Sequence, residues 1–465
     1  MNPYPFASPC GQTTPLFTRR AILREMSCGF GYLAFAGLAA KAAAPLGESP
    51  SLNPPQLLPK AKRVIFLCMR GAPSHVDTFD YKPQLMKDSG KAGRRPGTRL
   101  LGSPWKFSQH GRSGLWISEL FPELAKHADA LCLVRSMQTD LPAHPQAMLK
   151  LHTGSSQFIR PSLGAWTLYG LGSLNENLPG FVTLTPPSGG GGAQNYGSAF
   201  LPARFQATRI GTESRPIAEA EVRNLVSQQP AGNQHTQLDL IQTLNRQKLA
   251  RESSNPEVEG AIESLELAFK MQSQMPKVLD LSQETDATRS LYGIGRDPTD
   301  DFGRKCLLAR RLVEAGVRFV EVSHGNWDQH FNLNAGLRAN CAATDLPLAG
   351  LLSDLQQRGL LEDTLVVWSG EFGRTPHAQG NDGRDHNHQA FTLWMAGGGV
   401  RSGQAYGASD EHGYEAVQDR VQIPDLHATL LALLGLDHEK LTFNYAGRDF
   451  RLTDVAGSVV RQLIG

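Results

Sequence analysis

The sequence predicts an α/β fold: a mostly parallel central sheet with helices on both faces. Three observations carry this. Six short apolar runs recur along the chain, each bounded by turn residues: "RVIFLCM", "ALCLVRS", "FVTLT", "VRFVEVS", "TLVVW" and "AFTLWMAGG". They are continuous rather than alternating, as strands buried on both faces must be. Helical patterns lie between several of them, and strands alternating with helices define the class.

Taken in order, residues 1–44 read as a twin-arginine export signal. "TRRAILREMSCGFGYLAFAGLAAKAAAP" sets Arg19 and Arg20 ahead of a weakly apolar, Gly/Ala-rich run that ends in small residues at Ala42 to Ala44. An uncleaved anchor is the alternative, but Arg24 and Glu25 interrupt the run and make it a poor span. The mature chain is therefore expected in the periplasm or outside the cell, with no integral membrane span after cleavage. Residues 45–62, with "SLNPPQLLPK", read as a linker. Residues 63–465 then form one α/β domain.

Within that domain, "DFGRKCLLARRLVEAG" is a helix that stops at Gly316, "DLPLAGLLSDLQQRGL" is a helix before the fifth strand, and "IPDLHATLLALLGL" follows the sixth. Residues 185–300 break the alternation. "PPSGGGGAQNYG" is a loop, and the amphipathic stretch after it marks a mainly helical insertion or cap, whose Met and Leu stripe is expected to pack on its own partner helix. The "GGGG" run lacks the Lys and the strand–helix setting of a phosphate loop.

Composition narrows the function classes. Apolar residues at 40% against 19% charged exclude a disordered chain, and 46 basic against 44 acidic residues leave no basic excess for nucleic acid. Of six cysteines, Cys10 and Cys28 leave with the signal, and Cys68 and Cys132 sit inside apolar runs. Cys306 and Cys341 could pair, but structural thiols are the expectation.

Ligands in open α/β sheets bind beyond the carboxyl ends of the strands. After the first strand come His75, Asp77 and Asp80. After the second come Thr139, Asp140 and His144, just before a helix. After the fourth, "HGNWDQH" offers His324, Asp328 and His330; after the fifth, "GEFGRTPHAQGNDGRDHNH" offers Glu371, Arg374, Arg384, Asp385, His386 and His388. Alone, a loop His or Asp is ordinarily a cap, a turn former or a solvated side chain. Four clusters at four strand ends point instead to a metal site. In extended backbone, i and i+2 face one side, so His75 with Asp77, Asp328 with His330, and His386 with His388 could each offer two donors to one ion. Mixed imidazole and carboxylate donors favour one or two zinc or manganese ions, with calcium or magnesium as the alternatives. Arg374 and Arg384 suit an anion gripped by a planar guanidinium, or else pair with Glu371 or Asp385.

"TRRAIL", "VIFLCMRGAPSHVDTFDYKP", "HTGSSQFIRPSLGAWTLYGLG", "NWDQHFN", "GEFGRTP", "GRDHNHQAFTLWMAGGGV" and "NYAGRDFRLTD" together resemble the exported bacterial family known as domain of unknown function 1501. The resemblance covers nearly the whole mature chain. It implies an alkaline-phosphatase-like core, placed within the alkaline phosphatase and sulfatase superfamily, and a metal-dependent hydrolase of phosphate or sulfate esters. Against the superfamily pattern, Glu371 takes a ligand Asp position, Phe372 a ligand His position, and Gly71 stands about where the first strand brings its ligand Asp. His144 stands where relatives carry the nucleophile, and the sulfatase "CxPxR" motif is absent.

These readings imply His75, Asp77, Asp328, His330, Glu371, His386 and His388 as metal ligands, His144 and Arg374 as catalytic groups, and Arg384 and Asp385 as substrate-binding. The substrate would be an anionic small-molecule or glycan ester. The alternative is an inactive relative that binds a sulfated or phosphorylated glycan, or a partner protein, in the same pocket. An exported redox protein is a weaker third reading, since no cofactor motif supports it.

Overall fold

All six apolar runs lie side by side in the main sheet, one of them with its direction reversed. The computed structural model describes residues 55–220, 231–251 and 256–465. The export signal and residues 45–54 of the linker lie outside the described residues. The strands of the main sheet and of the ribbon at the site are β1 (Arg63–Met69), β2 (Leu131–Gln138), β3 (Phe181–Leu184), β4 (Thr208–Ile210), β5 (Phe319–His324), β6 (Thr364–Ser369), β7 (Gly373–Ala378), β8 (Arg384–Asn387), β9 (Phe391–Ala396), β10 (Gln404–Tyr406) and β11 (Val421–Gln422). The main sheet is nine-stranded, in the order β10, β2, β9, β6, β1, β5, β3, β4, with β11 also paired to β2. All its pairings are parallel except those of β9, which runs against both β2 and β6. β7 and β8 form a separate antiparallel ribbon.

Both faces are covered, which explains the unbroken apolar runs. Along β1, Ile65, Leu67 and Met69 enter one core while Val64, Phe66 and Cys68 enter the other. The period-two geometry of a strand requires this alternation. Each such side chain stabilises the fold by roughly 1.5–3 kcal/mol. The longer helices are α1 (His144–Thr153), α2 (Leu163–Leu171), α3 (Ala231–Arg251), α4 (Pro256–Leu279), α5 (Asp300–Glu314), α6 (Leu333–Gln357) and α7 (Ile423–Leu433), and short helical turns span His75–Thr78, Pro83–Lys87 and Asp286–Leu291. Helices α5 and α6 fill the first core; α1, α2 and α7 fill the second.

Local chemistry sets several helix ends. α5 begins with Asp300 and Asp301 in its first turn, where carboxylates favour the positive helix end, and stops before Gly316 at φ +94°. α7 opens on a capping box between Gln422 and Asp425. α6 starts at Leu333, twelve residues before the helical pattern read from the sequence, and runs through Pro347. The buried Leu337 and Cys341 hold that early part against the core.

The stretch 185–300 is more than a helical insertion, because it also supplies β4 at the sheet edge. Met271 and Met275 of α4 are buried in the same core as α5, rather than serving only the α3–α4 pair. Cys68, Cys132, Cys306 and Cys341 are all free and buried thiols. No helix among the described residues is long and apolar enough to cross a membrane.

Candidate metal centre

The topology gathers the carboxyl ends of β1, β2, β5 and β6 on one edge. Because β9 is reversed, its amino end joins them, and so does the segment that leads into it. His144 is the first residue of α1, just beyond β2. Asp328 and His330 lie between β5 and α6. Glu371 and Arg374 follow β6, and His386 lies on β8, where it faces Arg374 of β7 across the ribbon.

Four side chains converge: His144, Asp328, His330 and His386 each offer a ligand atom, and these atoms all lie within 4.8 Å of one another. His330 Nε2 is 3.0 Å from Asp328 Oδ1 and 2.9 Å from His386 Nε2. His144 Nε2 is 3.3 Å from Asp328 Oδ2. The opposite nitrogen of each ring is already committed. His386 Nδ1 donates to the Pro142 carbonyl at 2.6 Å, His144 Nδ1 to Glu371 Oε1 at 2.6 Å, and His330 Nδ1 to Gln379 Oε1 at 2.5 Å.

Tautomer logic follows from those partners. A neutral ring that donates from Nδ1 keeps its lone pair on Nε2. A bound metal ion would meet three such lone pairs and a carboxylate in one small volume; without it, His144 Nε2 lies 3.3 Å from Asp328 Oδ2 and His330 Nε2 lies 2.9 Å from His386 Nε2. Such a set repels itself unless positive charge sits between its members. Histidine ligands that tie their other nitrogen to a carbonyl or carboxylate are the usual metal-site arrangement. The residues fit a metal ion taken by nitrogen and oxygen donors.

Without an ion, a proton on His144 supplies that positive charge. Burial pulls the His144 imidazole down, but hydrogen bonds to Asp328 and Glu371, together with their charge, outweigh it and push His144 up to about 9. Burial also works against the Asp328 charge, yet His144, His386 and the Arg374 guanidinium hold its carboxyl well below the usual range. Phe372 packs its ring 4.8 Å from that of His144 and 4.7 Å from that of His386, so it positions ligands that it cannot replace.

Gly71 explains how Asp328 arrives. At φ +105°, it leaves empty the space where a Cβ would come within 2.7 Å of the Asp328 amide nitrogen. The β5–α6 loop therefore lies directly on the end of β1, which brings Asp328 to that strand end. The Gly71 amide donates to Glu371 Oε1 at 3.0 Å, which ties the same corner to the end of β6.

Several residues proposed from the sequence have other partners. Asp77 lies outside the converging set: both its oxygens face Arg384, at 2.6 and 3.0 Å, and both residues are fully buried. Arg384 is correspondingly unavailable to substrate; its remaining donors go to the carbonyls of Thr375 and Leu101. His75 is buried with Nε2 on the Gly413 carbonyl, and burial lowers its pKa. His388 stands apart from the cluster, held by its own carbonyl to the Thr139 amide. Glu371 orients His144 instead of joining the converging set. Arg374 is fully buried and binds Asp328 at 2.5 Å, the Ala72 carbonyl at 3.1 Å and the Gly71 carbonyl, so it braces a ligand rather than gripping an anion. Asp385 is half-buried; it accepts from the His386 amide at 2.8 Å and pairs with Arg95 at 3.4 Å. Gln379 and the Pro142 carbonyl hold two of the imidazoles and left no mark in the sequence, since a glutamine in a polar loop and a backbone oxygen carry no distinctive pattern.

Comparison with known proteins bears on the family. A model of the family described as "Protein of unknown function (DUF1501)" matches residues 61–464. No curated protein matches the sequence. Among solved structures, the chain is similar to PsFucS1 sulfatase from Pseudoalteromonas sp., with 13% identity, 82% of this chain and 68% of that chain covered, and a TM-score of 0.35. It is also similar to the lipoteichoic acid synthase LtaP from Listeria monocytogenes, with 8% identity, 84% and 74% covered, and a TM-score of 0.36. A third is the alkaline phosphatase from the Antarctic bacterium TAB5, with 10% identity, 75% and 94% covered, and a TM-score of 0.31. Scores of this size carry no weight for the reaction, which has to come from the site's own atoms.

Proposed function

The chain belongs to the DUF1501 family, and from the atoms of its site we propose that it is an exported metal-dependent hydrolase of phosphate or sulfate esters. One observation carries the reading: three imidazoles, each with Nδ1 tied to an acceptor, turn their Nε2 atoms toward Asp328. Nitrogen and oxygen donors of this kind favour zinc or manganese. A divalent ion held there supplies Lewis acidity and countercharge for an ester oxygen.

The chain's own residues set up the rest. Asp328 is 43% exposed and the three histidines 20–26%, so one side of the cluster faces solvent and can meet a substrate. Glu371 keeps the His144 proton on Nδ1, and Arg374 fixes the Asp328 carboxylate while offsetting part of its charge. Phe372 holds two of the rings in place. The export half of the proposal rests on Arg19 and Arg20 and the small-residue run behind them.

A second reading, an inactive relative that uses the same centre to bind a sulfated or phosphorylated glycan or a partner protein, is favoured by one observation. Both arginines of the ribbon are committed to protein partners. Elemental mass spectrometry of the purified protein, beside a His386→Ala, Asp328→Ala double variant, tests the centre. Near-stoichiometric metal lost in the variant, with metal-dependent cleavage of p-nitrophenyl phosphate or sulfate, supports the hydrolase. Metal without turnover on a broad ester panel favours the binding relative. No metal after reconstitution with zinc or manganese sinks the hydrolase reading.

A further inference from the structure

A second polar cavity, of about 230 Å3, opens beside the last turn of α1. With a rise of about 1.5 Å per residue, Lys150 to Gly154 lie roughly 9–15 Å along the helix from His144, so this is not the metal centre. Four cations line the cavity, Lys150, Arg160, Arg448 and Arg451, against the single carboxylate of Asp454. Three of them have acidic neighbours: Lys150 with Asp140 at 2.5 Å, Arg448 with Asp454 at 2.5 Å, and Arg451 with Glu439 at 3.6 Å.

Arg160 differs. Its guanidinium carbon lies 4.4 Å from the ring centre of Phe450, 5.2 Å from Phe158 and 5.9 Å from Phe200. Among the described residues, no carboxylate or carbonyl takes a hydrogen bond from it. Rings hold the plane of the guanidinium while its donors stay unused, which is the preorganised state in which an Arg grips an oxyanion with two hydrogen bonds. Beside it, Phe158 is 63% exposed and offers an open ring face, and Ser155, Ser156 and Gln157 supply small polar partners.

We propose that this cavity is a binding site for an anionic saccharide. Its carboxylate, sulfate or phosphate would sit on Arg160, its ring on Phe158, and its hydroxyls on the Ser155–Gln157 loop. The size suits one sugar unit rather than a larger ligand, being below the range of pockets for drug-sized molecules. A single unpaired cation matches one anionic group and not a polyphosphate. The site does not depend on the metal centre being catalytic.

Isothermal titration of the full chain tests it, with glucuronic acid and galactose 6-sulfate as probes and glucose and inorganic sulfate as controls. The charged sugars are expected to bind at least about tenfold more tightly than either control, with that advantage lost in Arg160→Gln and only partly kept in Arg160→Lys, which retains the charge but not the planar two-bond grip. Phe158→Ala should weaken both sugars, and adding a metal chelator should leave both affinities unchanged. The proposal is overturned if no charged sugar binds, if inorganic sulfate binds as tightly as the sugars, if Arg160→Gln retains full affinity, or if the chelator removes binding. Arg160→Lys, which keeps the charge, serves as the deciding variant should Arg160→Gln fold poorly.

Discussion

Replacing Asp77 with Ala strands the Arg384 guanidinium in a site with no solvent exposure, and the stability cost can be worked out from the structure. The two side chains form a two-contact ion pair at 2.6 and 3.0 Å, and both are fully buried. Removing one partner of such a pair costs about 3–5 kcal/mol, because the remaining charge is left uncompensated. With about 2.1 cal/mol/K per residue, roughly 400 folded residues give a melting entropy of about 0.8 kcal/mol/K. The expected fall in Tm is therefore about 4–6 °C. Calorimetry of wild type and Asp77→Ala measures it, and elemental analysis of the folded variant should still find the metal. An Asp77→Leu, Arg384→Met double variant should recover most of the loss, since an apolar pair of similar volume replaces the charges. If Asp77→Ala instead loses its metal while Tm barely moves, Asp77 is a ligand and the structural assignment of the pair fails.

Other outcomes follow from the same geometry. Gln379→Ala frees His330 Nδ1 and should weaken metal affinity about 10–100-fold without unfolding the protein, as read by competition with a chelator. In the metal-free protein His144 is held up at about 9, so an incoming ion displaces a proton at neutral pH. Apparent affinity should then fall about tenfold for each pH unit between 9 and 7, a slope that His144→Ala removes. His427 is fully buried, with Nε2 donating to the Leu151 carbonyl, and burial pushes its imidazole down to about 4. A depressed folded-state value means that stability is complete above the unfolded value of about 6.5 and declines as pH falls toward 4. The loss is about 3 kcal/mol, and denaturant melts of His427→Leu should lack it.

The strands were legible because both their faces are buried, which leaves a signal that needs no periodicity. β4, β10 and β11 were not legible. They are two or three residues long, and pairing rather than composition makes them strands. The direction of β9 was equally hidden, since a run such as "FTLWMA" reads the same whichever way it lies. At the site, the loops were readable from their ligand residue types, but the sorting of those residues was not. Asp77 and Asp328 look alike in sequence. Only the fold shows that both meet a buried guanidinium and that Asp328 alone also meets three imidazoles. The pairing of Arg374 with a ligand, instead of with an anion, depends in the same way on Gly71 and Ala72 presenting their carbonyls to it.

The reversal of β9 bears on how this architecture can change. Ser369 and Phe391 end and begin strands that are hydrogen-bonded neighbours, so everything between them is a single excursion whose two anchors stay side by side. That excursion carries Glu371, Arg374, Gln379, Arg384 and His386, which makes it a cassette. Its length and chemistry can change without altering the order of the sheet, provided the buried contacts of Arg374 and Arg384 with Asp328, Asp77 and the end of β1 are kept. His144, Asp328 and His330 come from elsewhere and form the fixed half of the centre. New specificities, whether natural or designed, would be sought first by exchanging residues 370–390 between relatives.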